Sequence, residues 1–303
     1  MKRMIENKFI CRICGSAILI KGKYPDIHFN NKVFSYYHCK SCGSYNVFPS
    51  PTKEDFEKIY GEDDHTYLKN TKDKIVYNFN YPFAHHQGFE IKFLNQIKHD
   101  LKDKTVLDFA CGSGFYLKYA EQHGARVVGV EFDDNFVELL REKSDLELYT
   151  LEKALGIFHD KPFDYIHLGH VLEHLVDPTS IMETLKTLAH KDTIFIIDGP
   201  LEKNFCLSRF YIDWGSRIKG KKFNEFAPQH LTLTTQKSQL QFFEDMGLQT
   251  ETYIVVEQYF PLPATFGKSI GSTLNFLIAS CSILVSMMIP SFGNVFHYRG
   301  KLN

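Results

Sequence analysis

The 303-residue chain has almost no charge bias: 35 Lys and Arg stand against 36 Asp and Glu, a formal net charge of −1. A protein that tracks long nucleic acid needs a basic surface, because each phosphate contact is a charge contact, so nucleic acid is not expected as the main partner. The opening Met1-Lys-Arg-Met-Ile-Glu-Asn-Lys8 has no apolar run of signal-peptide length, which makes a cytoplasmic location the expectation. Tryptophan occurs once, and internal repeats and low-complexity segments are missing. Phenylalanine (27) and tyrosine (16) are plentiful instead. A chain of this length can hold one large domain with a sizeable core plus a small module.

A further absence bears on the cofactor. Thr105 to Leu117 reads as a buried strand, a small-residue turn and a helix start. Val106, Leu107 and Phe109 suit a central parallel strand. Ala110, Gly112 and Gly114 leave the backbone bare where a ligand comes close. Leu117 and Ala120 begin a helix whose N-terminus points at that ligand. Val127-Val-Gly-Val-Glu131 is a second buried strand, ending in a carboxylate suited to both hydroxyls of a ribose. A nicotinamide site would want a third small residue after Gly112-x-Gly114, and Leu117 stands there instead. Asp108, just before the turn, would crowd a pyrophosphate and would suit a ligand with an ammonium group.

These residues resemble the class I S-adenosylmethionine-dependent methyltransferases, whose first motif has the form acid-x-small-x-Gly-x-Gly, as in Asp108-Phe-Ala-Cys-Gly-Ser-Gly114. Phe163 to Pro178 resembles that family's fourth strand and following loop. Leu172-Glu-His-Leu175 is typical of the branch of quinone, sugar and small-molecule methyltransferases. The resemblance covers about residues 83–260. It implies S-adenosylmethionine as cofactor and a doubly wound, Rossmann-like α/β fold with a seven-stranded sheet. It also implies roles: Asp108 orients the methionine amino group through water or backbone, and Ala110, Gly112 and Gly114 line the methionine arm. Glu131 holds the ribose, Phe132 lies against the adenine, and the loop at Leu168-Gly169-His170 closes the far side. Glu152 is the one candidate for an acid near the adenine.

Four of the seven cysteines form Cys11-x-x-Cys14 and Cys39-x-x-Cys42, with 24 residues between the pairs and a glycine after each pair, Gly15 and Gly43. Two matched knuckles without a secretion signal read as a ribbon holding one structural Zn²⁺ on four thiolates, with His38 a bystander. Cys111, Cys206 and Cys281 read as ordinary packed or partly buried thiols. The expected organisation is a ribbon over 1–48, a connecting arm over 49–82, a methyltransferase domain over 83–265 and an apolar helical extension over 266–303. In the arm, a helix follows Pro49-Ser-Pro-Thr52, and Tyr60, Tyr67, Tyr77 and Tyr81 follow it. The domain should run helix 83–99, strand 104–109, helix 114–123, strand 126–131, helix 133–143, strand 146–149, helix 151–157 and strand 163–168. Helix 178–189, strand 193–198, helix 235–246 and strand 249–257 follow. The run without charge from Ser269 to Phe296 allows a buried or dimer-forming helix, or a peripheral membrane contact; Asn275 and serines 280, 282 and 286 weaken a membrane span.

Methyl transfer to a hydroxyl asks the protein to align the acceptor and remove its proton, so histidine is the natural base. Position selects His170, His174 and His230 from fourteen. His170, Glu173 and His174 fall at i, i+3 and i+4 and could hold a divalent metal; bracing of the loop without metal is the preferred reading, since quinone-type relatives carry an acid where His170 stands. Phe226 to Thr235 resembles the segment before the family's penultimate helix, which makes His230 the first choice as base, with a purely structural histidine as the alternative. The insertion after the fifth strand carries Asp213-Trp-Gly-Ser-Arg-Ile-Lys-Gly-Lys-Lys222, suited to a nucleotide-sugar or phosphorylated acceptor. The expected acceptor is thus a small molecule, a sugar or nucleotide-sugar hydroxyl in surface-polysaccharide or natural-product biosynthesis. The alternatives are a membrane-bound quinone or lipid, an RNA base, or a ribbon interaction protein that keeps a cofactor fold without catalysis.

Overall fold

The computed structural model describes residues 9–60, 100–112, 114–206, 228–257 and 288–303, with Thr273, 276–278, 280–281 and 284–285 between them. The expected helix 83–99, Tyr67, Tyr77 and Tyr81, the basic insertion at 213–222 and most of the apolar run lie outside those residues.

The N-terminal module is a small antiparallel sheet. Its strands are β1 (Leu19–Lys21), β2 (Ile27–Phe29), β3 (Lys32–Cys39) and β4 (Tyr45–Phe48). Asn30 and Asn31, both at positive φ, turn β2 into β3, as a two-residue hairpin requires. The two cysteine knuckles are copies of one another. Cys11 N–H donates to Ser16 O and Cys39 N–H to Ser44 O, each at 2.8 Å, while Gly15 and Gly43 N–H close back on Cys11 and Cys39 O at 2.9 Å. Helix α1 (Lys53–Tyr60) follows. Asp55 accepts from Thr52 N and Oγ1, both at 2.8 Å, so Thr52 starts this helix as its position implies.

The large domain is a seven-stranded sheet. Its strands are β5 (Thr105–Phe109), β6 (Arg126–Glu131), β7 (Leu148–Thr150), β8 (Phe163–Gly169) and β9 (Ala189–Pro200), then β11 (Leu248–Val256) and β12 (Val295–Leu302). The order is β11-β12-β9-β8-β5-β6-β7, with β12 antiparallel to both neighbours and the other described pairings parallel. Strand order reverses between β5 and β8, and ligands bind at the carboxyl ends of strands at such a point. Alternate residues of the central strands feed the two faces. Leu107, Val128 and Val130 join Phe158, Met182, Leu185, Phe242 and Phe243 on one side. Val106 and Val127 join Leu117, Ala120, Val137 and Leu140 on the other. The helices that supply these residues are α2 (Phe115–Gln122), α3 (Asp134–Lys143), α4 (Leu151–Phe158), α5 (Pro178–Lys186) and α6 (Gln236–Asp245).

Two placements differ from expectation. Val295–Leu302, assigned from sequence to an extension beyond residue 265, is a full strand inserted between β9 and β11. His297, Arg299 and Lys301 alternate with Phe296, Tyr298 and Leu302 as a strand requires, and Val295 to Tyr298 are buried. The apolar helical extension is accordingly not an appendage at its C-terminal end. Described positions 276–278, 280–281, 284–285 and 288 are helical, and among the described residues no helix is long and apolar enough to cross a membrane. The second difference is β10 (Thr232–Leu233), which leaves the large domain to pair with β4 of the module, Thr232 opposite Asn46 and Leu233 opposite Tyr45. The module is therefore built into the large domain, and Cys11, Ile13 and Cys39 share its core cluster.

Candidate functional site

The cofactor half is assembled from β5, the turn after it and the end of β6. Ala110, Gly112 and Gly114 all take positive φ (56°, 53° and 75°). For Ala110 that conformation is costly, on the order of 1–3 kcal/mol, and such strain collects at ligand-binding turns. Gly112 N–H donates to Glu131 Oε1 at 2.6 Å and Phe132 N–H to Oε2 at 3.1 Å. Burial pushes the Glu131 carboxyl up to about 7 against those two donors. Phe132 is 55% exposed and edge-on to Phe109, just past the carboxyl end of β6. Glu152 sits exposed in the first turn of α4.

Asp108 is 3% exposed. Its Oδ1 lies 2.6 Å from His167 Nδ1, and His167 Nε2 lies 3.2 Å from Asp198 Oδ1. Burial alone would lower the His167 pKa, but the two carboxylates overcome it and raise it to about 9. His167 is thus an imidazolium bridging two acids at the switch point, stacked on Tyr116 with centroids 3.7 Å apart. Gly169 is glycine because a Cβ there would come within 2.9 Å of the His167 ring. The next residue, His170, is at φ 53° and donates its N–H to Asp198 O.

From Asp198 the polar row continues into the acceptor half. His170 Nε2 is 3.4 Å from Asp198 Oδ2. Glu173 Oε1 is 3.8 Å from His170 Nδ1 and 3.7 Å from His174 Nε2. The His174 and His230 rings meet edge-to-face at 4.7 Å. His230 Nδ1 is held at 2.5 Å by Glu202 Oε1. Glu173 and His174 belong to the short 3₁₀ turn Leu172–His174, and Leu231 N–H donates to Glu173 O at 2.7 Å, so the His174 and His230 segments are joined through backbone.

Three histidines expected from sequence thus come together, but with different electrostatics. Burial, reinforced by His230 beside it, pushes His174 down to about 3, which fixes it as a neutral imidazole at ordinary pH. Burial works against His230 as well, yet Glu202 raises it above its ordinary value. Burial raises Glu173 to about 7, and its Oε1 has no hydrogen-bond partner among the described residues. Glu173, His174 and His230 each place a donor atom within 4.8 Å of the others. Sequence reasoning overlooked His167, Asp198 and Glu202. The signal for the acids was their place at the carboxyl end of β9 and just beyond it.

At the far end of the module, Cys11, Cys14, Cys39 and Cys42 converge with their sulfurs within 4.8 Å of one another; Cys11–Cys42 and Cys14–Cys39 are each 3.6 Å apart. The separation is that of thiols around a common point, not of disulfides. The hydrogen bond from Cys42 pulls the Cys11 thiol down to about 4, while the same contact pushes Cys42 up. Four thiolates this close need a cation to coexist. His38 stacks on Tyr45 and stands outside the set.

Comparison with known proteins fits this geometry. A family model described as a methyltransferase domain matches residues 84–253. Over 199 residues the chain is 21% identical to a ubiquinone biosynthesis O-methyltransferase of Nitrosomonas europaea, covering 62% of this chain and 82% of that one. Over 130 residues it is 34% identical to a tRNA U34 carboxymethyltransferase of Helicobacter acinonychis, covering 37% of this chain and only 48% of that one. Among solved structures, a SAM dependent methyltransferase from Archaeoglobus fulgidus superposes with a TM-score of 0.49 at 16% identity, covering 78% of this chain and 100% of that one. The family match takes in the glycine turn, Glu131 and all three histidines, and the chain belongs to the methyltransferase domain family as an S-adenosylmethionine-dependent methyltransferase.

Proposed function

We propose that the protein methylates a hydroxyl of a small-molecule acceptor, with His230 as the base. The observation that carries this is the Glu202–His230 pair beside neutral His174, at the end of a polar row that starts at Asp108 under the cofactor turn. S-adenosylmethionine supplies a methyl group already activated on positive sulfur. Glu131 would hold its ribose, Phe132 its adenine and the 110–114 turn its methionine arm, with Gly169 and His170 closing the side toward the acceptor. Asp108 shares its charge with His167 and so presents a moderated negative field to a ligand ammonium. His230 accepts the acceptor proton at Nε2, while Glu202 keeps Nδ1–H in place and stabilises the imidazolium that results. His174 fixes the face of the His230 ring, and His170 borders the acceptor opening.

A sugar or nucleotide-sugar hydroxyl is the acceptor we favour, on the basic, tryptophan-bearing sequence of 213–222. The Nitrosomonas relative is named for a quinone pathway, and exposed Phe205, Leu284 and Met288 offer apolar surface, which supports a phenolic acceptor as the second choice. Turnover of the purified protein with panels of nucleotide sugars and of catechols separates them. Methylation of neither panel, in a sample that binds S-adenosylhomocysteine, would sink the small-hydroxyl reading.

The lone oxygen of Glu173 favours one variation, in which Glu173, His174 and His230 hold a divalent cation that acidifies the hydroxyl. Mn²⁺ binding seen by electron paramagnetic resonance and lost in Glu173→Gln would select it. The four cysteines fit structural Zn²⁺, which supplies a rigid knot and no reactive position. Metal analysis should find zinc in the native chain and none in Cys14→Ser.

A further inference from the structure

The residue between the first knuckle's cysteines has an unusual set of partners. Arg12 is only 9% exposed. Its Nε donates to Val176 O at 3.2 Å, one η nitrogen lies 3.4 Å from Leu231 O, and the other donates to Ser50 Oγ at 2.8 Å. Its guanidinium lies 4.8 Å over the Phe48 ring. Val176 is two residues past His174, and Leu231 is the residue after His230. One planar cation therefore grips both acceptor-side segments from behind.

The grip is anchored in the cysteine cluster. Cys11 Sγ lies 3.2 Å from Ser44 Oγ. Asn46 accepts the Arg12 N–H at 2.8 Å and sits opposite Thr232 in the sheet. A buried guanidinium has few places to move, and its rigid planar fork presents three separate nitrogens to the three acceptors, which the single compact nitrogen of an ammonium cannot do. Tyr36, also from the module, adds a hydrogen bond to His230 O at 2.9 Å.

We propose that Arg12 is a positioning residue for the acceptor half of the site: the cysteine module, through this one guanidinium, holds the His174 and His230 segments in register. The cysteine site then acts on methyl transfer without touching substrate, by keeping Arg12 in place. The proposal rests on the reading of those histidines as acceptor-side groups only for its consequence in turnover, not for the contact itself.

The test compares full-length, zinc-replete wild type with Arg12→Met, Arg12→Lys and Tyr36→Phe. Four quantities are read: amide hydrogen exchange, the ring signals of His174 and His230 at one fixed pH, affinity for S-adenosylhomocysteine, and turnover on the hydroxyl panel that wild type methylates. Arg12→Met should speed exchange at Leu231 and Thr232 by about tenfold or more and move both ring signals. Exchange in β5 should stay as in wild type, and cofactor affinity should hold within about twofold. Arg12→Lys should recover part of the effect, and Tyr36→Phe should give a smaller change confined to the His230 segment. Unchanged exchange and ring signals in Arg12→Met would overturn the proposal. So would acceleration spread evenly into β5, which would make Arg12 an ordinary stability contact. If the segments loosen while turnover persists, the positioning stands and the base assignment falls.

Discussion

The two halves of the site are built in opposite ways. The cofactor half is local: Asp108 to Gly114 is one turn, and Glu131 reaches back to Gly112 across nineteen positions. The acceptor half is long-range: Tyr60 meets His174 across 114 positions, Tyr36 meets His230 across 194, and Arg12 reaches Leu231 across 219. A turn made of adjacent residues works as soon as its two strands pair. A pocket made of distant segments needs a scaffold to bring them together, and here a cysteine module supplies it.

If the halves are separate in this sense, they should break separately. The largest effect is expected at the base. His230→Ala should cut turnover by about 10²- to 10⁴-fold, with a smaller loss in Glu202→Gln, which keeps shape but removes the charge that raises His230. Because His230 works only when neutral, the wild-type rate should climb with pH through a midpoint above the ordinary imidazole value of about 6.5, and Glu202→Gln should move that midpoint down.

The cofactor half should show its own pH dependence. Glu131 titrates at about 7, and a protonated acid loses its hold on two hydroxyls. Affinity for S-adenosylhomocysteine should therefore fall as pH drops below 7, to about tenfold weaker at pH 6 than at pH 8. A calorimetric titration at the two pH values reads this directly.

The smallest effect concerns the seam between the halves. His167 is raised to about 9 from an ordinary 6.5, so its contribution to stability is complete below about 6.5 and is lost as pH rises through 9. Wild type should lose on the order of 5 °C in Tm between neutral and alkaline pH. His167→Gln should start lower and lack that alkaline decline.

The same contrast explains what could be read in advance. The glycine turn, Glu131 and the alternation of strands and helices depend on neighbours in the chain, and the observed elements from β5 to α6, β10 apart, lie within a few residues of their expected bounds. His170 and His174 were found because they follow the carboxyl end of β8, where chemistry collects, and His230 because its segment resembles one of the methyltransferase family. Their inequality was not legible. Whether an imidazole is a base at neutral pH or a neutral brace depends on Glu202, on burial and on the ring beside it, none of which spacing encodes. Strand β12 differs: Phe296 to Leu302 alternates apolar and polar residues as a strand does, but its place between β9 and β11 is set by pairing with segments far along the chain. Nothing in the sequence marks Arg12, because its partners lie far along the chain.

The most direct test of the two-half account is one series of calorimetric titrations with S-adenosylhomocysteine on wild type, Glu131→Ala and His230→Ala. The account predicts that Glu131→Ala loses about 10- to 100-fold in affinity, as expected for hydrogen bonds to a buried charge, while His230→Ala binds like wild type. Wild-type affinity in Glu131→Ala, or a comparable loss in His230→Ala, would contradict it.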